Sequence, residues 1–319
     1  MQKNNAWRPS ATVERLRFRA DLFKTIRSFF DNRGVMEVET PLLSQGAATD
    51  PYLNIIPVKL SYFDRTYFLQ TSPEFCMKRM LAAGSGPIYQ LCKAFRDEEC
   101  GRYHNPEFTL LEWYQPGFDH HALMGEVDDF LQAVLKTPKA TKVSYRALFE
   151  KFLGFNPHQA DAKILKHYAK QHDIQLDATL ACEDWLDVLL THCIEPHLGY
   201  DAPVMIFDYS ASKAALAKVR SDKEPVAERF EVYVQGVELA NGYHELTDHN
   251  IQRQRFEADN KIRSALDRPN IPLDNHLLKA LEVGLPSSAG VALGIDRLVM
   301  LAAGADHIEE VLAFTSAQA

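Results

Sequence analysis

Two β-rich runs, Phe230 to Val234 and Val237 to Asn241, meet at Gln235-Gly236. Such a dipeptide predicts a tight hairpin, because a two-residue turn of the right twist needs positive φ angles that glycine adopts without strain. With that turn as pivot, Glu231 should face Ala240 and Tyr233 should face Glu238, placing Glu231 and Glu238 as diagonal neighbours on one face. Hairpin-joined strands separated by long excursions, with no alternation of strand and helix, favour an α+β fold built on an antiparallel sheet with flanking helices. A dinucleotide-binding sheet is excluded on the same pattern, since no strand-linked G-x-G-x-x-G turn and no G-x-x-x-x-G-K-[ST] loop occurs.

Several other elements can be read directly. Ser10 or Thr12 can cap a first helix in which Leu16, Ala20, Phe23, Ile26 and Phe30 recur at helical spacing, and Gly34 can end it in the left-handed conformation. A short strand, Val35 to Glu39, then runs into Pro41. Ser72-Pro73-Glu74 opens a second helix with an acid near its positive end, and Gly84 closes it. Extended runs follow at Ile88 to Arg96 and Glu107 to Tyr114, and the chain closes with a strand, Ala289 to Leu293, and a helix from Gly294. Between about 120 and 198 the pattern is mainly helical and holds no catalytic constellation, so the economical organisation is a single domain over 1–319 with a helical insertion.

The composition narrows the class. Across 319 residues, 46% hydrophobic and 24% charged, the chain can bury a large core. A formal net charge of -8 gives no support to nonspecific nucleic-acid binding. The five cysteines, with no C-x-x-C pair, indicate neither a disulfide framework nor a thiolate zinc site. Met1 to Pro9 lacks an apolar segment with a cleavage site, which places the expectation in the cytoplasm.

On the Glu107 to Tyr114 strand the side chains alternate, so Phe108, Leu110, Glu112 and Tyr114 share one face. Glu112 is therefore either at a wet sheet edge or meets a cation from a partner or ligand. Glu231 and Glu238 are either a solvated edge or, with their repulsion turned into coordination, carboxylates for magnesium beside a nucleotide. Arg297 falls in the first turn of the last helix, where the positive end of the dipole disfavours a cation; either a nearby acid such as Asp296 or a nucleotide phosphate compensates it. His244-Glu245-Leu246-Thr247-Asp248 begins like a zinc-protease signature but has Asp at its fifth position, and adjacent His120-His121 read as solvated rather than metal-bound.

Taken in order, the segments resemble a class II aminoacyl-tRNA synthetase core of the lysyl type. Gly34 to Pro41 is similar to the first class motif, Phe95-Arg96-Asp97-Glu98 with Arg102 to Phe108 to the second, and Gly290 to Arg297 to the third. Within that family the resemblance is to the truncated paralogues that attach (R)-β-lysine to a lysine of elongation factor P, carried most strongly by Glu238 to Asp248. It implies an ATP-dependent ligase with an aminoacyl adenylate intermediate. Arg96 would hold the substrate carboxylate and α-phosphate, and Asp97, Glu98, Asn105, Leu239 and Gly294 would help position ATP. Phe108 would stack on adenine and Arg297 would reach the terminal phosphate. Glu231 and Glu238 would carry Mg2+. Ser72, Pro73 and Glu74 would take the substrate's backbone amino group, Tyr114 and Glu245 its side-chain ammonium, and Glu112, Asn241 and Ala292 would line the same pocket. The first helix and the Pro41 strand would form a homodimer interface.

Departures from the lysyl type carry further expectations. Only about a dozen residues precede the first helix, too few for the OB-fold that reads an anticodon. Ala292 stands where lysyl-tRNA synthetases have glycine, and its methyl should reshape the pocket near the substrate backbone. Alternatives to a protein-modifying ligase are a stand-alone tRNA-charging or amino-acid-synthesising enzyme, and a catalytically dead binding module, against which Arg96, Glu238 and Arg297 argue.

Overall fold

The computed structural model describes residues 7–97, 99–174, 181–221 and 223–319. Residues up to Gly117 together with those from Thr247 onward make one compact unit, and Phe118 to Leu246 make a second.

The first unit opens with α1 (Val13–Asp31), whose N-cap Thr12 accepts a hydrogen bond from the Arg15 amide. Its buried stripe is Leu22, Ile26, Phe29 and Phe30; Leu16 and Phe23 are half-buried, and Ala20, expected in the stripe, is exposed. The strands β1 (Met36–Glu37), β2 (Leu43–Ser44), β3 (Pro57–Lys59) and β4 (Thr66–Leu69) follow, with β4 central to a small antiparallel sheet between β2 and β3. Next come α2 (Glu74–Ala82), β5 (Ile88–Phe95) and β6 (Glu107–Pro116). Gly84, at φ 86, follows α2 as expected.

The second unit contains α3 (His120–Leu135), β7 (Thr141–Ser144), α4 (Tyr145–Leu153), α5 (Ala162–Gln171) and α6 (Cys182–Leu189), then β8 (Val204–Ser210), β9 (Val219–Arg220), β10 (Val226–Val234) and β11 (Val237–His244). The stretch read as mainly helical thus holds α3 to α6 with one short strand. Strand order in this unit is β11, β10, β8, β7, antiparallel except for the β7–β8 pair, with β9 on β10. Its core packs Tyr145, Leu148 and Phe149 of α4 and Trp185, Leu186 and Leu189 of α6 against Ile206, Tyr209 and Tyr233.

The chain then returns to the first unit with α7 (His249–Ala265), α8 (Asn275–Gly284), β12 (Ser288–Gly294) and α9 (Ile295–Ala302). Here β5, β6 and β12 run antiparallel with β6 central, and β1 adds to β5 in parallel. Antiparallel strands flanked by helices therefore dominate both units, as the α+β expectation required.

One face of the β5–β6–β12 sheet is closed by α1. Phe30 stacks on Tyr89 with ring centroids 4.3 Å apart and meets Trp113 edge-on at 5.4 Å. The register puts Ile88, Gln90 and Cys92 beside Tyr114, Glu112 and Leu110 on the opposite face, with Gly290, Ala292 and Gly294 on the other flank.

Candidate active site

In the first unit the expected residues collect around β6. Glu112 is 2% exposed, so the wet-edge reading is excluded. Its Oε1 accepts from the Tyr114 hydroxyl at 2.7 Å, and Ala292 and Gln90 stand directly across from it. Gln90 was not singled out from sequence. It is equally buried, and its Oε1 finds no protein donor. A polar residue in phase with Ile88 and Cys92 on an otherwise apolar strand was the available signal. Burial and then the Glu112 charge push the Cys92 thiol up to about 12, so it stays neutral. The chemistry of this patch is acceptor-rich and anionic, which suits an ammonium.

Arg96 follows β5. Its guanidinium carbon lies 5.2 Å from the centre of the Phe108 ring and its Nη1 3.6 Å from Glu99, while its backbone amide donates to Pro106 O at 2.9 Å. Asp97 is exposed, with its amide on Asn54 O at 2.9 Å. Glu98 lies outside the described residues. Asn105 is buried and fully engaged: its Nδ2 donates to Glu107 O at 2.6 Å and Ser316 Oγ at 3.1 Å, and its Oδ1 accepts from the Ser316 amide at 3.0 Å.

Ser72, Pro73 and Glu74 lie at the start of α2, where Ser72 Oγ accepts from the Glu74 amide at 3.4 Å. The segment leading into them is fastened to β5, since the Phe95 amide donates to Gln70 O at 2.9 Å and Gln70 Nε2 to Lys93 O at 2.8 Å. That fastening sets Ser72 beside the strand end that carries Arg96. A cavity of about 40 Å³ is lined by Gln70, Ser72, Pro73, Glu74 and Gly46 among others, room for a group the size of an amine or a few waters. Glu74 also pairs with the almost fully buried Lys78 at 2.6 Å.

Gly294 ends β12 and caps α9, putting Arg297 in the first turn. Arg297 Nη2 lies 2.6 Å from His104 Nε2 and its Nε donates to Tyr103 O at 3.3 Å. Burial and the Arg297 charge lower the His104 pKa, so the ring accepts as a neutral imidazole. Asp296, weighed as a partner for Arg297, is committed elsewhere: Arg19 Nη2 reaches its Oδ1 at 2.6 Å and the Thr109 amide its Oδ2 at 2.7 Å.

In the second unit Gln235 and Gly236 both take positive φ, 52 and 73, so the hairpin turn is where it was expected. The register differs beyond it. Tyr233 faces Glu238 as predicted, but Glu231 faces Asn241 rather than Ala240, because a bulge leaves Leu239 as an extra residue between the Tyr233–Glu238 and Val232–Ala240 pairs. Tyr233 still bridges the two acids on one face. Its hydroxyl donates to Glu231 at 2.7 Å and to Glu195 at 3.0 Å.

Glu231 is buried and already satisfied by the Tyr209 hydroxyl at 2.6 Å, by Tyr233 and by the Arg229 guanidinium. Burial opposes the charge on Arg229, but Glu231 and its neighbours outweigh it and raise that pKa. Burial pushes Glu195 up to about 7 against the Tyr233 hydrogen bond, and the Glu231 and Glu238 charges push the same way. Glu238 is half-buried, Leu239 is buried within β11, and Asn241 Oδ1 has no protein donor. Glu245, 1% exposed, follows the end of β11.

Comparison with known proteins agrees with this arrangement. A protein of Edwardsiella ictaluri named "Elongation factor P--(R)-beta-lysine ligase" is 50% identical over 318 residues, covering 97% of each chain. Proteins of the same name from Salmonella arizonae and Enterobacter are 48% and 47% identical over 323 residues, covering 99% of each chain. The family model described as tRNA synthetases class II (D, K and N) matches residues 4–318. With that span matched and these relatives, the chain belongs to the class II tRNA synthetase family of the D, K and N type.

Proposed function

We propose that the chain is an ATP-dependent ligase that activates (R)-β-lysine, or lysine, as an acyl adenylate and passes it to the ε-amino group of a lysine on elongation factor P. One observation carries the reading: a buried carboxylate, Glu112, braced by Tyr114 on the same strand face as the Arg96–Phe108 pair, in a chain about half identical over almost its whole length to ligases of that name. A diamine needs the first feature and an adenylate the second.

In the first half-reaction a carboxylate oxygen of the amino acid attacks the α-phosphorus and pyrophosphate leaves; in the second an amine attacks the acyl carbon and AMP leaves. Arg96 would hold the carboxylate and α-phosphate, Phe108 would stack on adenine, and Arg297 would reach the terminal phosphate, having a neutral His104 as its neighbour rather than a carboxylate. Glu112, Tyr114 and Glu245 would bind ammonium groups, with Ser72 to Glu74 on the backbone amine. Asp97, Glu98, Asn105, Leu239 and Gly294 keep their proposed places on ATP; for Asn105 that place is structural, since its amide is spent on Glu107 and Ser316. An acceptor lysine with pKa about 10.4 is neutral in roughly one molecule in 2,500 at pH 7, so it must lose its proton on docking.

Magnesium would neutralise phosphate charge. The all-carboxylate set of Glu195, Glu231 and Glu238 suits a hard cation, and the raised Glu195 marks repulsion that a cation relieves. Glu238 would be its main ligand; Glu231 enters the shell only by exchanging Arg229 for the ion. We also read the chain as one catalytic domain with its insertion at about 120–198, a homodimer through α1 and β1, where Phe18 and Met36 are exposed, and a cytoplasmic protein. Among the described residues no helix is long and apolar enough to cross a membrane.

The test is incubation of purified protein with ATP and (R)-β-lysine in the presence of elongation factor P or of tRNA. A mass gain on a lysine of elongation factor P is expected; charging of tRNA alone would assign the alternative function. In pyrophosphate exchange, Ala292→Gly should shift preference toward L-α-lysine, and an unchanged preference removes Ala292 from substrate choice.

A further inference from the structure

The histidine pair at the start of α3 is not solvated. His120 is 2% exposed and its Nε2 lies 3.2 Å from Asp208 Oδ1, while its Nδ1 is buried with no protein partner. His121 is exposed, with its ring 4.1 Å from that of His120 and edge-on to Phe207 at 5.1 Å. Asp208 holds a left-handed φ of 59, a conformation uncommon outside glycine. Its other oxygen, Oδ2, is clamped by Arg220 at 2.7 Å, which aims Oδ1 at the histidine. One donor atom from each of His120, His121 and Asp208 lies within 4.8 Å of the other two.

We propose that His120, His121 and Asp208 form a binding site for a divalent transition-metal ion of the zinc class, with Arg220 as the residue that orients the carboxylate. The donors are two imidazoles and one carboxylate, a set that zinc takes in tetrahedral geometry with one position left open. Zinc bonds of about 2.0 to 2.1 Å require ligand atoms roughly 3.3 Å apart, and rotation of the exposed His121 ring supplies the needed approach. Arg220 fills the place of an outer-shell partner that fixes a ligating carboxylate. Burial and the nearby His120 lower the His121 pKa, which leaves its lone pair available at neutral pH.

A second set, His120 with Glu228 and His244, shares the buried ring. It is the weaker candidate because Glu228 and His244 already pair at 2.5 Å, and a metal would have to break that contact. By strand alternation Glu228 and His244 lie on the face of the β10–β11 hairpin opposite Glu231 and Asn241. The site is therefore set apart from the carboxylates assigned to magnesium. An ion there would pin the first turn of α3 to β8. A cleft of about 680 Å³ lined by Asp208, Arg220, Arg146 and His158 leads to its open side.

The experiment uses the full chain stripped with a chelator, reloaded with zinc, gel-filtered and assayed for metal, with cobalt loading to read the coordination. One zinc per chain and the strong visible bands of four-coordinate cobalt are expected. His121→Ala and Asp208→Asn should each weaken zinc binding roughly tenfold or more while circular dichroism and amino-acid activation are retained. His121 is exposed, so its variant keeps the fold even where Asp208→Asn fails. Substoichiometric zinc, zinc binding unchanged in His121→Ala, or loss only in His244→Ala or cysteine variants would each overturn the assignment.

Discussion

At the scale of single residues, the proposed site depends on charges that water cannot reach. Glu112→Gln keeps the shape and removes the charge; because a hydrogen bond to a charged group contributes about 1.5 to 3 kcal/mol, kcat/KM for the lysine-type substrate should fall roughly 10- to 100-fold, mostly in KM. Arg96→Lys leaves a cation but loses the planar fork, and pyrophosphate exchange should slow by about 10² or more, chiefly in kcat. Steady-state exchange kinetics separate these outcomes. The sequence alone placed Glu112 between Phe108 and Tyr114, since alternation along a strand is a local property. It gave no sign of Gln90 across from Glu112, or of Tyr209 and Arg229 around Glu231, because those neighbours are set by pairing between segments that only the fold aligns.

At the scale of elements, turn and cap chemistry was readable and register was not. Thr12, Gly84 and Gln235-Gly236 mark real boundaries because each acts within a few residues. The bulge at Leu239, which moves Glu231 from Ala240 to Asn241, has no such local mark. The hairpin is also held from outside: the Gln235 and Gly236 amides donate to Gly199 O at 2.8 Å and Leu198 O at 2.7 Å. A Cβ at Gly199, where φ is 78, would lie 2.5 Å from Tyr233 O and 2.7 Å from Val234 Cα. Gly199→Ala should thus cost about 2 kcal/mol or more, read as a lower denaturation midpoint. Phe30→Ala, which removes the ring between α1 and Tyr89, should cost about 3 to 5 kcal/mol. Glu195 supplies a pH signature. Its folded pKa of about 7 lies above the ordinary 4.5, so its contribution is complete below 4.5 and is lost as pH rises through 7. Denaturation midpoints followed over that window should fall in the wild type and flatten in Glu195→Gln.

At the scale of the whole molecule, the α+β class followed from the strand pattern, whereas the reach of the second compact unit, Phe118 to Leu246, did not. The helical stretch inside it was visible from periodicity, but β8 to β11 join it through the Tyr145, Trp185 and Tyr209 core, which no sequence window contains. The proposed homodimer belongs to this scale as well. Sedimentation should give twice the chain mass, and Met36→Glu should shift the population toward the single chain.

The carboxylate next to Arg297 is gripped by a helix from the other end of the sequence: Arg19 of α1 reaches Asp296, which also receives the Thr109 amide. A library of random variants screened only for growth or product would return Arg19 among its inactive clones and invite its annotation as a ligand-contacting position. Its failure would instead be one of alignment, with the last helix and its guanidinium swinging off target, and restoring purchase on Asp296 from a different side chain should rescue it.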